Sequence, residues 1–262
     1  MIIDFHVHAF TDDLAKRAID SLKNTARVVN YTDGTVSDLA HKLEQWGIDK
    51  GVLLPIATKP KHQRVINDWV SGLKKSRIIP FGTIHPDCED KLEELQRLHT
   101  LGIKGIKIHP DYQNVMVDDK RLLPVYDLCN QLGMIVVLHA GFDPVSPDLV
   151  HAPPHLSAKV VQMFPGLNLV LAHMGGTFMW KEAEEYLVGS GAYLDTAFCA
   201  GELPKEQLTR MIEKHGADQV LMASDCPWHS SASEVEMIES LPIGDKQKEQ
   251  IFSGNARRLL KI

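Results

Sequence analysis

The sequence predicts an α/β protein built as a single (β/α)8 barrel spanning residues 1–262. Three observations predict it. Eight short β-rich runs recur along the chain, helical patterns separate them, and histidine or aspartate stands where many of the runs end.

The runs occupy 2–8, 51–56, 78–84, 103–109, 134–139, 167–173, 192–196 and 219–224. After a first step of 49 residues they recur every 25 to 33. Continuous apolar strands alternating with helices at such spacing indicate parallel βαβ units. Eight units in a chain of this length suit a closed barrel, with an open doubly wound sheet as the structural rival. The first repeat is the longest, which makes 9–36 an insertion at the barrel mouth, a lid or substrate loop. Residues 37–46 follow as a helix with Leu39, Leu43 and Trp46 on one face behind a Ser37 N-cap. The pattern of 87–101 is also helical, with Leu92, Leu95 and Leu98 among charged neighbours. Gly47, Gly102, Gly133 and Gly216 each close a helical run, and Pro204 opens one.

Composition excludes several function classes. The 262 residues are 44% hydrophobic and 24% charged, ordinary values for a globular chain with a substantial core. A net charge of −6 argues against nonspecific binding to nucleic acid or anionic membranes. Cys88, Cys129, Cys199 and Cys226 show no pairing pattern and read as reduced thiols. No apolar stretch approaches the roughly 20 residues of a membrane span, and the chain opens directly on a strand. The expectation is a cytoplasmic protein that acts on a small molecule.

The chemistry lies at the ends of the runs. The first closes on His6-Val7-His8, and strand alternation puts both imidazoles on one face with Asp4 a layer below. His85 follows the third run, His109 closes the fourth, His139 the fifth and His173 the sixth, and Asp225 follows the eighth. Strand ends converge at one mouth of a barrel, so these residues meet there. Neutral imidazole with carboxylate is a donor set that Zn²⁺ and similar first-row ions accept. A bound divalent metal is expected, with Zn the default and Mn, Fe or Co accommodated by the same donors.

Six motifs in order carry a resemblance across essentially the whole chain. They are Ile3-Asp4-Phe5-His6-Val7-His8, Gly105-Ile106-Lys107-Ile108-His109-Pro110, Val137-Leu138-His139-Ala140-Gly141, Leu171-Ala172-His173-Met174-Gly175-Gly176, Ala223-Ser224-Asp225-Cys226-Pro227-Trp228 and Gly254-Asn255-Ala256-Arg257-Arg258-Leu259. The chain resembles the amidohydrolase superfamily, metal-dependent hydrolase barrels, and within it the amidohydrolase-2 branch that includes the aminocarboxymuconate-semialdehyde decarboxylase-like proteins. The resemblance implies His6, His8 and His139 as imidazole ligands and Asp225 as a carboxylate ligand. It implies His173 as a catalytic residue at one metal, or as a ligand of a second. Lys107 is expected to be buried, facing substrate or paired with Asp4, rather than carbamylated between two metals. A homodimer would be unsurprising for the branch.

With Asp225 and His173 as catalytic residues, the expected reaction is hydrolysis of an amide, lactone or ester through a metal-activated water. The alternative is non-oxidative decarboxylation of a small carboxylic acid at the same residues. His109, Lys107, His85 and Trp228 are expected to contact substrate. A TatD-like nuclease would want a carboxylate at the fourth run, which this chain lacks, and a retired binding fold would have lost some of the ligands. Lys59, Lys61, His62 and Arg64 read as a solvated helix start. His151 and His155, in a proline-rich stretch on the mouth side, are further substrate-contact candidates. Trp180 would wall a pocket or pack in the core. Cys226 has no assigned role, and His41, His99 and His215 are expected at the surface.

Overall fold

The computed structural model describes residues 1–73 and 77–262. Its strands are β1 (Ile3–Val7), β2 (Lys50–Leu53), β3 (Ile78–Pro80), β4 (Gly82–Thr83), β5 (Gly105–Ile108), β6 (Ile135–Leu138), β7 (Asn168–Leu171), β8 (Tyr193–Asp195) and β9 (Val220–Leu221). Each of the eight β-rich runs contains a strand, and the third contains two, interrupted at Phe81. By contact density the chain divides into two compact units. One comprises Met1–Leu53, the β3 segment and Leu194–Ile262, and the other comprises Leu54–Leu73 and Pro80–Tyr193.

In the first unit β1 is wholly buried, with Ile3, Phe5 and Val7 alternating against Asp4 and His6. It pairs in parallel with β2, while β8 pairs in parallel with β9. The chain beyond β9 then runs alongside β1. Phe5 N donates to Met222 O at 2.9 Å, Asp225 N to His6 O at 2.8 Å and His8 N to Cys226 O at 2.6 Å. The Asp4 carboxylate fastens this seam. It accepts from the backbone N–H groups of His6 (3.1 Å) and Ser224 (3.0 Å) and from the hydroxyls of Ser224 (2.5 Å) and Ser231 (2.7 Å). Near the C-terminus, the buried Asn255 amide donates to Ala217 O and Val220 O, both at 2.7 Å, and ties the last helix to the start of β9.

In the second unit β4, β5, β6 and β7 pair in parallel and in sequence order. Val136 stands beside Ile106 on one side and Leu169 on the other, so the strands need the uninterrupted apolar runs seen in the sequence. Side-chain amides satisfy backbone groups where the short β4 ends. Asn67 bonds Thr83 through both N–H and C=O, and Gln113 donates to Ala57 O (3.0 Å) and Ile84 O (2.8 Å).

Three local expectations are corrected. The 9–36 insertion is not a bare loop, because Asp12–Ala26 forms a helix with Ala15 and Ile19 buried beneath it. The helix Val36–Gln45 is capped by Thr35, whose hydroxyl accepts from Asp38 N, so Ser37 already lies inside it. His215 is buried at the end of the helix Lys205–His215, because the apolar face of that helix extends to its last residue. Among the described residues no helix is long and apolar enough to cross a membrane.

Removing the Asp4 carboxylate strands buried donors without an acceptor. Asp4→Ala is expected to lower the unfolding free energy by about 3 kcal/mol or more, read as a shifted midpoint in urea. Burial pushes the Asp4 carboxyl up to about 6 against the pull of its hydrogen bonds. A folded-state value above the unfolded value of 3.8 means that this group favours folding more as pH falls between the two. The stability gap between wild type and Asp4→Ala should therefore widen on that descent, and a gap that narrows would contradict the assignment.

Candidate metal centre

In the first unit, the ends of β1, β8 and β9 bring together His6, His8, Asp195 and Asp225. Asp225 Oδ1 stands 3.0 Å from His8 Nε2 and 3.5 Å from His6 Nε2. One donor atom from each of His6, His8 and Asp225 lies within 4.8 Å of the others. Behind His6, the fully buried Asp195 places Oδ2 3.0 Å from Nδ1. That carboxylate accepts a hydrogen bond from Nδ1–H and leaves Nε2, without a proton, facing Asp225. A carboxylate fixing an imidazole tautomer from behind is the usual support of a metal-ligating histidine. Two imidazoles and a carboxylate, mostly shielded from water, suit a first-row divalent ion.

Backbone strain marks the same strand ends. Asp225 adopts φ 69° and Phe198, after β8, φ 60°, while His173, after β7 in the second unit, adopts φ 59°. Left-handed backbone in residues with a Cβ costs roughly 1–3 kcal/mol each and collects at functional sites.

The second unit holds its own histidine group. His109 lies face to face on His139 with ring centroids 4.2 Å apart, and His173 meets His139 edge-on at 4.8 Å. His139 Nδ1 is 3.1 Å from His173 Nε2. His139 Nε2 is buried with no hydrogen-bond partner among the described residues, while Asp111 and Asp143 each place an oxygen 3.9 Å away. Burial, reinforced by His109 and His173, pushes the His139 pKa well below the usual histidine range. A neutral ring with an unsatisfied nitrogen is the form in which histidine ligates a metal, so His139 fits the role expected of it.

His109, His139 and Asp143 also each place a ligand-type atom within 4.8 Å of the others. Within that group His109 is bound differently. Its Nδ1 accepts from Tyr112 N at 3.4 Å, which puts the ring proton on Nε2, 3.4 Å from Asp143 Oδ2. His109 is thus a donor to a carboxylate rather than a free lone pair. Gly141 lets the chain turn past His139, because at its φ of 89° a Cβ would stand 2.2 Å from Thr177 N.

Each expected site residue can now be placed. His6, His8 and Asp225 converge in the first unit, with Trp228 part-exposed in the turn where its N–H donates to Asp225 O at 2.9 Å. His109, His139 and His173 converge in the second. His85 is buried in the second unit, its N–H held by Gln63 Oε1 and its Nδ1 accepting from Asp87 N, and burial lowers its pKa. Lys107 is buried on β5, beside Thr83 on one neighbouring strand and Val137 on the other. His151 is corrected from a substrate contact to an internal tie, because Nδ1 lies 3.0 Å from Asp111 and Nε2 3.2 Å from Asn114. His155 lies in the helix Pro154–Met163 with its ring against Tyr186. Trp180 is buried and donates from Nε1 to His173 O. Asp195, Asp143 and Asp111 escaped the reading of strand ends. The signal was present for Asp195, an acid closing the otherwise apolar β8.

A sequence model of the amidohydrolase family matches residues 3–262. The chain belongs to that family. Among proteins similar to this amidohydrolase is the 2-amino-3-carboxymuconate-6-semialdehyde decarboxylase of Dictyostelium discoideum, 25% identical over 238 residues. That match takes in 75% of this chain and 66% of the relative, which is just under two thirds of the relative's length. A TIM-barrel protein of Bordetella bronchiseptica superposes with a TM-score of 0.81 at 22% identity, covering 99% of this chain and 98% of its own. A dihydroxybenzoic acid decarboxylase of a Polaromonas species, with bound manganese and the inhibitor 2-nitroresorcinol, superposes with a TM-score of 0.74 at 18% identity, covering 99% and 96%. The likeness over the whole chain identifies the fold as the (β/α)8 barrel and removes the doubly wound rival.

Asp195 supports His6 through Nδ1, while Asp225 faces Nε2. Asp195→Asn is expected to weaken Zn²⁺ or Mn²⁺ binding by about 10- to 100-fold, measured by titrating metal into chelator-stripped protein. Unchanged affinity would mean that Asp195 does not set the His6 tautomer.

Proposed function

We propose that this amidohydrolase is a metal-dependent decarboxylase that releases CO₂ from a small carboxylic acid without oxidation. The observation that carries the reading is the convergence of His6, His8 and Asp225, with Asp195 behind His6. The choice of reaction is supported by the decarboxylases among the similar proteins.

A divalent ion held by His6, His8 and Asp225 supplies Lewis acidity toward substrate oxygens. His6 and His8 present Nε2 to it, and Asp195 keeps the His6 proton on the opposite side of the ring. Asp225 is the acid–base group. Its carboxylate lies against two imidazole nitrogens; after taking a proton from substrate or water, its acid form would pass that proton to the carbon as the C–C bond breaks and CO₂ leaves. In the second unit His173 and His139 can exchange a proton across 3.1 Å, which suits the catalytic role expected of His173. His109, oriented by Asp143, offers an N–H donor for a substrate oxygen.

Hydrolysis of an amide, lactone or ester, the reading the sequence put first, uses the same residues with Asp225 taking a proton from water. It ranks second because the similar proteins with a named reaction described above are decarboxylases.

The test is CO₂ release from dihydroxybenzoates by protein purified without chelator, run beside hydrolysis of aryl esters and lactones. Release of CO₂ by metal-loaded protein is expected. Asp225→Asn should retain its circular dichroism spectrum and lose about 10²- to 10⁴-fold in rate. Undiminished turnover would remove Asp225 from the mechanism, and ester hydrolysis without CO₂ release would reverse the ranking. Elemental analysis is expected to find about one ion per chain, and protein that takes up neither Zn²⁺ nor Mn²⁺ would sink the reading. His6→Ala and, separately, His139→Ala are each expected to lower metal content.

A further inference from the structure

Three acceptor atoms in the second unit face one another with no donor between them. Burial keeps His139 neutral, so its ring carries one proton. Placed on Nδ1, that proton is donated to His173 Nε2 at 3.1 Å. Placed on Nε2, it would find no acceptor in reach there, because Asp111 Oδ2 and Asp143 Oδ2 both stand 3.9 Å away. The hydrogen bond therefore holds the proton on Nδ1 and leaves Nε2 as a lone pair that meets two carboxylates.

Each carboxylate is anchored by one oxygen and offers the other. Asp111 Oδ1 accepts from His151 N at 3.3 Å and lies 3.0 Å from His151 Nδ1. Its Oδ2 is buried with no hydrogen-bond partner among the described residues, on a side chain with 0% exposure. Asp143 Oδ1 accepts from Val145 N at 2.7 Å, and its Oδ2 turns to the imidazoles. Burial raises the Asp111 pKa against the pull of its His151 hydrogen bonds, and the charge of Asp143 adds to the rise. A proton on Oδ2 could not bridge to His139 Nε2, since 3.9 Å exceeds hydrogen-bond reach. Lys107 acts on His139 through its charge but bonds neither unpartnered atom.

A metal ion fits this gap where a larger ligand does not. A separation of 3.9 Å is close to twice the roughly 2.0–2.2 Å bond from a divalent first-row ion to nitrogen or oxygen. Asp111 Oδ2 and His139 Nε2 are sealed from water, which favours a bare ion over a bound water or a substrate substituent. One imidazole with two carboxylates is a donor set that Mn²⁺ accepts. His109 stays outside that set. Its ring is within 9° of parallel to His139, so an ion in the plane of one ring lies off the plane of the other, and its Nε2–H faces Asp143 Oδ2 at 3.4 Å. We propose that the second unit holds a divalent cation of its own, between His139 Nε2, Asp111 Oδ2 and Asp143 Oδ2, additional to the ion assigned to His6, His8 and Asp225. Asp111 follows β5 and Asp143 follows β6, so the ion ties together the chain segments beyond two paired strands. Neither aspartate belongs to the ligand set that the family resemblance implies, and the inference does not depend on which reaction the protein catalyses.

The test is equilibrium dialysis of chelator-stripped protein against excess Mn²⁺, continued until the bound metal per chain is constant. Wild type is expected to reach two ions, one more than the purified protein carries. His6→Ala/His8→Ala removes the ion of the first unit and should still bind one, which should raise its melting temperature. Asp111→Asn, nearly isosteric, should cut wild type from two ions to one and the His6→Ala/His8→Ala protein from one to none. Asp143→Asn should do the same, with circular dichroism confirming that each variant is folded. Should the aspartate variants fail to fold, the counts for wild type and His6→Ala/His8→Ala decide. Saturation of wild type at one ion, a folded His6→Ala/His8→Ala protein that binds none, or a folded Asp111→Asn that keeps two overturns the inference and leaves the decarboxylase reading intact. Wild type that binds no Mn²⁺ and no Zn²⁺ overturns both.

Discussion

The burial of the Asp4 carboxylate is the constraint on which the first unit depends. A carboxylate with 0% exposure is tolerable only if its lone pairs are occupied, and the available donors lie on β1 itself, just past β9 and at the start of the next helix. Satisfying Asp4 therefore fixes where the chain beyond β9 runs against β1. The same register sets His6 and His8 beside Asp225. An apolar residue at position 4 would pack, but it would not specify which backbone groups approach it.

Two kinds of order hold the histidines. His6 is oriented from behind by Asp195, which fixes the tautomer and turns Nε2 toward Asp225. His139 is held by ring contacts with His109 and His173, and its low proton affinity comes from burial and from the neighbouring imidazoles. The first arrangement favours a positive partner for the ring nitrogen, and the second disfavours protonation of the ring. The second leaves a neutral imidazole able to donate a lone pair.

Much of the fold was legible in the sequence, and so was the placing of the candidate ligands at strand ends, because both rest on period and position. Apolar runs spaced by helical patterns give strands, and His6, His8, His139 and Asp225 stand where those strands end. What was not legible depends on groups without a sequence signature. Glu234 is held by the backbone N–H groups of Cys199 and Ala200, about 35 residues away, and any residue there would supply the same donors. His215 and His151 looked like surface or substrate histidines because a helical wheel or a loop assignment cannot reveal what packs over it. The 9–36 segment was read as a loop because its charged, apolar-poor pattern hides a helix that buries only Ala15 and Ile19.

The left-handed backbone at His173, Phe198 and Asp225 has a consequence for anyone who would engineer this barrel. At such angles glycine is the residue with no steric conflict, so a redesign guided by stability alone would place glycine at all three. The product would be sturdier, and it would have lost a candidate catalytic imidazole, an aromatic side chain and a candidate metal ligand in one stroke.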